Sequence, residues 1–395
     1  MRVTGPKVLL ITTLATGVAV ATAVPLLAKP EPVLVQVAAN GTPVPGQYIV
    51  TLKPGASTAA EAGRIRATGV RRFDGVLNGF SAKLTAEQLD KLRRSDKVAA
   101  IEQDQIVRIG AVQRAPLPWG LDRIDQRVPK LSKSYTYKST GKGVRVYVID
   151  TGIKIKHKQF GKRARSVWAA PRFKGNHRDQ NGHGTHVAGI IGAKHYGVAK
   201  GVQLRSLRVL DRYGQGMMSD VIAAVKWLRK NAQKPAVANL SLVGSRSKAA
   251  NDAVAALARS GVPVIVAAGN GDGASRGYDA CRFSPSGAPN VIAVGAIAPG
   301  DKRTPWSNFG KCVDLHAPGQ GIRSTWRNGS SKVLDGTSMA APFAAGTAAL
   351  YLSRRPRAKS ATVYKWLINN ASKGRVTGLP AGKGTPNRLL YKGRL

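Results

Sequence analysis

A serine hydroxyl attacks a carbonyl at neutral pH only when a base lies within hydrogen-bond reach and a third group holds that base in the right tautomer. Three short motifs of this 395-residue chain supply those residue types. Ser338 lies in Gly336-Thr337-Ser338-Met339-Ala340, His183 in Asn181-Gly182-His183-Gly184-Thr185-His186, and Asp150 in Val148-Ile149-Asp150-Thr151-Gly152. Asp150 closes an apolar run, which places it at the carboxyl end of a strand, where open α/β sheets put their sites. His183 opens a helix between two glycines that let the backbone pack closely. Ser338 begins a helical run, so its hydroxyl is expected at a helix N-terminus, where N–H groups and the dipole favour developing negative charge. His186, one turn beyond His183, reads as a buried structural histidine rather than a second base. The HExxH pattern of a zinc site is absent.

Hydrophobic periodicity supplies the elements that must position these residues. Short apolar strands are expected at 144–149, 203–210, 236–242, 262–268 and 291–294, and helices at 183–194, 219–231, 247–260 and 338–354. Such alternation implies an α/β fold, a parallel sheet covered by helices on both faces. Ahead of it, Tyr48-Ile49-Val50-Thr51-Leu52 reads as a strand ended by Lys53-Pro54-Gly55. A helix around 59–67, a strand at 79–84, a Thr85-capped helix and a strand at 98–107 complete a small α+β module. The expected bounds are 1–28 for a leader, 29–45 for a linker, 46–111 for the α+β module and 112–395 for the α/β domain.

The leader has Arg2 and Lys7 before an apolar run from Val8 to Leu27 and small residues at its exit, the pattern of a removable secretory signal. A membrane anchor is the alternative, although threonines and Pro25 interrupt the run. The mature protein is therefore expected to be secreted, extracellular and monomeric. Its two cysteines, Cys281 and Cys312, suit one disulfide in an exported chain, with two buried thiols as the alternative. Net charge is +42, from 62 Lys plus Arg against 20 Asp plus Glu. Residues 112–395 keep 48 of the basic residues and 12 of the acidic ones. That excess favours non-specific, salt-sensitive association with polyanions. The cations are spread along the chain, and no zinc-finger or RNA-binding motif appears.

In sequence, the three motifs run Asp, His, Ser, and with their flanking residues they resemble the subtilisin-like serine proteases. The resemblance is to the proteinase K and aqualysin branch, carried also by residues 119–127, Tyr196-Gly197-Val198-Ala199-Lys200 and Pro386-Asn387-Arg388-Leu389-Leu390-Tyr391. It implies a secreted serine endopeptidase acting on polypeptides through an acyl-enzyme, with Asp150, His183 and Ser338 as the catalytic set. Asn270, in Ala267-Ala268-Gly269-Asn270, matches the family asparagine that completes the oxyanion hole with the Ser338 N–H. Residues 46–111 look like the inhibitory pro-domain, an intramolecular partner released by cleavage near Ala111-Val112, or after Arg114.

The resemblance also implies that a substrate lies extended between Gly214-Gln215-Gly216 and Ser241-Leu242-Val243, with Ala268 and Gly269 beside the primary pocket. Val243 stands where glycine is usual, which predicts a preference for small residues, chiefly Ala, before the cut bond. Cys281 and Cys312 fall where aqualysin-like enzymes form a disulfide, whereas Gln180 and Arg212 replace the other pair. Ala341-Pro342-Phe343 stands for the family's Thr-Pro-His. No cofactor is needed for the chemistry. Structural calcium is left open, because Ala298 falls near a carboxylate ligand of proteinase K while backbone carbonyls also bind calcium. A cationic binding protein built on a protease scaffold is the alternative of a different class.

Overall fold

A computed structural model describes residues 31–37, 42–108, 118–272 and 275–395. The segment expected as a secretory leader and the junction expected near Ala111-Val112 lie outside these residues. The first part contains β1 (Val35–Gln36), β2 (Pro43–Leu52), α1 (Thr58–Arg64), β3 (Thr68–Arg72), β4 (Gly79–Lys83), α2 (Ala86–Arg93) and β5 (Val98–Arg108). Its sheet runs β1-β5-β2-β4-β3 and packs Val50, Phe80, Leu92 and Ile101 into a separate small core. Thr85 caps α2, as the sequence suggested, and the cap is a reciprocal box with Gln88. The stretch expected as a linker, 29–45, carries β1 and the start of β2; Val33 and Val35 pack on the small core and draw it into the sheet. Strand β3, with the sequence Thr-Gly-Val-Arg-Arg, has too little apolar character to be read from sequence and occupies the sheet edge.

The second part begins with α3 (Trp119–Ile124), β6 (Arg145–Asp150), β7 (Ala164–Ala169), α4 (His183–Gly192), β8 (Gln203–Arg208), β9 (Gln215–Met217) and α5 (Met218–Asn231). It continues through β10 (Ala236–Leu240), β11 (Gly244–Ser245), α6 (Lys248–Arg259), β12 (Val264–Ala267), β13 (Phe283–Ser284), β14 (Ile292–Ile297) and β15 (Leu315–Pro318). It closes with the hairpin of β16 (Ile322–Thr325) and β17 (Ser331–Leu334), then α7 (Thr337–Arg354), α8 (Ser360–Asn370), β18 (Ser372–Lys373) and β19 (Arg388–Leu389). The nine-stranded sheet runs β18-β19-β15-β14-β12-β10-β6-β8-β7 and is parallel except at β18–β19. Strands β12 and β14 read as unbroken apolar runs because both faces are covered, and β10 is interrupted only by the buried Asn239. Helices α4 and α7 pack in the core on one face, and α5 and α6 in the core on the other.

The two parts meet along α5 and α6. Ile49, Phe73, Val76 and Leu77 join the core formed by those helices. Glu102 Oε1 accepts the Ala249 N–H at 2.9 Å in the first turn of α6, and Asp104 accepts the Ser219 N–H and hydroxyl at the start of α5. Both carboxylates therefore satisfy helix N–H groups that would otherwise lack partners.

Candidate active site

Asp150 ends β6 and His183 is the first residue of α4. Gly182, at φ +113°, turns the chain into the helix, and a Cβ on Gly184 would lie 2.2 Å from the Gly152 carbonyl oxygen. Glycine at these positions lets the two segments meet. His183 Nδ1 lies 2.8 and 2.9 Å from the two Asp150 carboxylate oxygens, and both residues are buried. That geometry assigns the proton to Nδ1, donating to the carboxylate and leaving Nε2 as a lone-pair acceptor. Nε2 has no hydrogen-bond partner among the described residues.

Ser338 is the second residue of α7, so its N–H has no acceptor inside the helix. Its hydroxyl donates to the Ser241 carbonyl at 3.0 Å, and the Ser241 hydroxyl donates to the Ser338 carbonyl at 2.9 Å. Pro342 explains why that carbonyl is open: it has no N–H for the bond that residue 342 would otherwise make to residue 338. The Asn270 side-chain oxygen accepts the Thr337 N–H at 2.9 Å and the Thr337 hydroxyl at 2.7 Å, which turns its amide NH2 the other way. The same threonine oxygen accepts the Gly269 N–H at 3.0 Å.

Asp179, in a polar loop, was not singled out from the sequence, yet it joins the segments of Asp150 and His183. One oxygen accepts Thr151 Oγ1 at 2.8 Å, Asn181 N at 3.0 Å and Gly182 N at 2.7 Å; the other accepts Thr185 N at 3.0 Å and Thr185 Oγ1 at 2.5 Å. Thr151 Oγ1 in turn accepts the Gly184 N–H at 2.9 Å. Asp179 followed by polar residues just before a Gly-His helix start is an N-terminal acceptor pattern that could have flagged it. His186 is buried beside the hairpin, with Nε2 at 3.1 and 3.0 Å from the Ile322 and Lys332 carbonyl oxygens. Burial lowers its pKa to about 3, so it is a neutral structural donor.

The edge at β9 is occupied by the chain's own β5, which pairs with it antiparallel in the register Ile106 to Met217, Val107 to Gly216 and Arg108 to Gln215. Gly214, at φ +75°, closes the turn that leads into this edge, with its N–H on the Asp211 carbonyl. Across the cleft, Ser241, Leu242 and Val243 follow β10 and are buried or half-buried. A Cβ placed on Gly269 would lie 3.6 Å from Val243 Cγ1, so the valine stands directly against that glycine. Ala268 is buried beside them, its carbonyl taken by Asn308 Nδ2 at 2.9 Å.

Cys281 and Cys312 form a disulfide with 5.2 Å between Cα atoms. At the positions of the replaced pair, Gln180 Oε1 accepts Arg208 Nη2 at 2.7 Å and the Arg212 carbonyl accepts Asn181 Nδ2 at 3.0 Å. Near Ala298, Asp301 is committed to a buried fork with Arg123 at 2.6 and 2.7 Å. No group of three or more His, Cys, Asp or Glu side chains suited to a metal occurs among the described residues. No helix among them is long and apolar enough to cross a membrane.

Residues 141–388 match the model of the Subtilase family, and residues 47–110 match that of Peptidase inhibitor I9. An extracellular serine proteinase of Thermus sp. (strain Rt41A) is 43% identical over 375 residues, covering 88% of this chain and 90% of that protein. The crystal structure of a cold adapted subtilisin-like serine proteinase aligns with a TM-score of 0.66 at 44% identity, over 69% of this chain and 97% of that one. Fervidolysin from Fervidobacterium pennivorans, a keratinolytic enzyme related to subtilisin, aligns with a TM-score of 0.75 at 22% identity, over 92% and 62%; that likeness concerns the fold.

Proposed function

Because the chain belongs to the subtilase family of serine proteinases and carries an inhibitor I9 pro-domain, we propose that it is a secreted endopeptidase that releases itself from its precursor with Ser338, His183 and Asp150. The observation that carries this reading is the peptide already seated on the β9 edge: the pro-domain's last strand pairs there as an extended substrate would. The β9 edge supplies main-chain hydrogen bonds that ignore sequence, and the pocket beside Val243 and Gly269 supplies the choice of residue.

In the chemical step, the Ser338 hydroxyl leaves the Ser241 carbonyl and turns to the unpartnered Nε2 of His183. His183 takes the proton as Ser338 Oγ attacks the scissile carbonyl, and Asp150 stabilises the imidazolium. The oxyanion is met by the Ser338 N–H and the Asn270 amide, which Thr337 holds in orientation. Collapse of the intermediate passes the proton from His183 to the leaving amine, and water then hydrolyses the acyl-enzyme by the same route. Val243 narrows the pocket and favours Ala before the cut bond.

The test compares wild type and Ser338→Ala by mass spectrometry after expression. Wild type should lose the pro-domain while the variant stays a full precursor, and the new N-terminus should fall near Val112. Equal cleavage of both chains would assign processing to another protease, and a peptide series in which Phe beats Ala tenfold would remove the small-residue reading.

A further inference from the structure

A cavity of about 910 Å3 opens on the seam between the pro-domain and the catalytic domain, beside the C-terminal half of α5. Six cations line it: Arg71 and Arg72 from β3, Lys226, Arg229 and Lys230 from α5, and Lys234 just beyond. Asp74 is the one acidic side chain in the lining. It is shared between Lys226 at 3.6 Å and Arg72 at 3.9 Å, while Arg71 is committed to the buried Asp220 at 2.5 Å. Arg229 and Lys230 are exposed, and neither they nor Lys234 has a carboxylate within 4 Å among the described residues. Two half-buried indoles, Trp168 and Trp227, form part of the wall.

The last-turn positions of Arg229 and Lys230 suit the α5 dipole. That accounts for two of the cations and not for the four others gathered on the same space from two domains. Arg229 is also pressed against the pro-domain, since a Cβ on Gly75 would lie 2.6 Å from its Nη1. Guanidinium forks match phosphate oxygens two at a time, and lysines add point charges around them. Indole walls exclude water on one side and so strengthen such pairing.

We propose that this cavity binds a phosphate-bearing polyanion, and that the bound anion holds the pro-domain on the catalytic domain because its contacts come from both. By linkage, whatever binds the joined form better than the separated parts must shift their equilibrium toward the joined form.

The experiment uses the full-length chain as the Ser338→Ala precursor, checked intact by mass, with short-chain inorganic polyphosphate as the probe. Affinity is measured by calorimetry over a salt series. Arg229→Glu/Lys230→Glu is compared with Lys156→Glu/Lys158→Glu, an equal charge change on the exposed loop after β6, at the opposite end of the sheet strands. The seam pair should weaken binding at least tenfold and lower the slope of log K against log salt by about two. Losses of equal size in both pairs would overturn the proposal by making the attraction delocalised. So would poly-dT of equal charge binding ten times tighter than polyphosphate, which would make a base the recognised group. If the charge reversal disturbs folding, Arg229→Gln/Lys230→Gln gives the same comparison with smaller shifts. A second arm follows pro-domain release from wild type: polyphosphate should slow it, and unchanged release despite tight binding would refute the seam location. The binding arm stands whether or not the chain processes itself, so failure of self-cleavage and failure of this site are distinguishable.

Discussion

Asp179→Asn tests whether the geometry around His183 is held from the loop that precedes it. The carboxylate accepts five hydrogen bonds, three on one oxygen and two on the other. Asparagine keeps one oxygen and presents an NH2 where the second had been. If the amide oxygen serves Thr151, Asn181 and Gly182, its NH2 faces the Thr185 N–H, which cannot reverse, and a hydroxyl already accepting from Lys154 N at 2.9 Å. One buried donor left unpaired costs about 1–3 kcal/mol. If most of that appears as a displaced α4 N-terminus, kcat should fall roughly 10- to 100-fold, since about 1.4 kcal/mol is tenfold in rate. The substrate edges at β9 and Val243 take no hydrogen bond from Asp179, so KM should stay within about twofold of wild type. Steady-state hydrolysis of a chromogenic Ala-ending peptide, with a thermal melt on the same sample, reads both effects. A lowered melting temperature with unchanged kcat would refute the positioning role and leave Asp179 as a stabilising residue only.

Val243→Gly should open the pocket and raise kcat/KM for Phe over Ala by about tenfold, the scale of a few methylene contacts, measured on paired peptides. Reducing the Cys281–Cys312 bond, which closes a loop with 31 residues of separation, should cost about 3–4 kcal/mol of stability by loop entropy and lower the melting temperature by about 10 °C. Docking buries Asp104 and Glu102 and raises both pKa values, that of Asp104 to about 6, because desolvation outweighs their hydrogen bonds. Protonation is then favoured in the docked form, so the pro-domain should bind more tightly as pH falls from about 7 to 4 and level off below the free carboxyl range. Release rates of the cleaved pro-domain across that range check the sign; faster release in acid would refute it, and Asp104→Asn should flatten the profile.

The Asp, His and Ser motifs were legible because each packs its chemistry and its backbone requirement into a few contiguous residues. The strand 264–267 was legible because burial on both faces leaves a continuous apolar run, and 236–240 because only Asn239 interrupts one. What could not be read depends on distant partners. Strand β3 is polar and becomes a strand only by pairing with β4, and the β16–β17 hairpin that receives His186 lies more than a hundred residues from it. Asp179 looks like any loop aspartate until Thr151 and Thr185 are brought to it. The resting contact of the Ser338 hydroxyl with Ser241, rather than His183, follows from the placement of two chain segments that sequence leaves unrelated.

The proline in α7 gives Ser338 a mechanical connection. With Pro342 leaving the Ser338 carbonyl open, the first turn of the helix is tethered to the segment after β10 by two hydrogen bonds running in opposite senses. Pro342→Ala would restore a competing donor, and the helix would then contend with Ser241 for the same oxygen. A peptide that tugs the Ser241 to Val243 segment as it adds to the cleft therefore pulls on the backbone of Ser338 as well. Occupancy of the cleft and orientation of the Ser338 hydroxyl are thereby parts of one lever, whose pivot is an imino acid four residues along the helix.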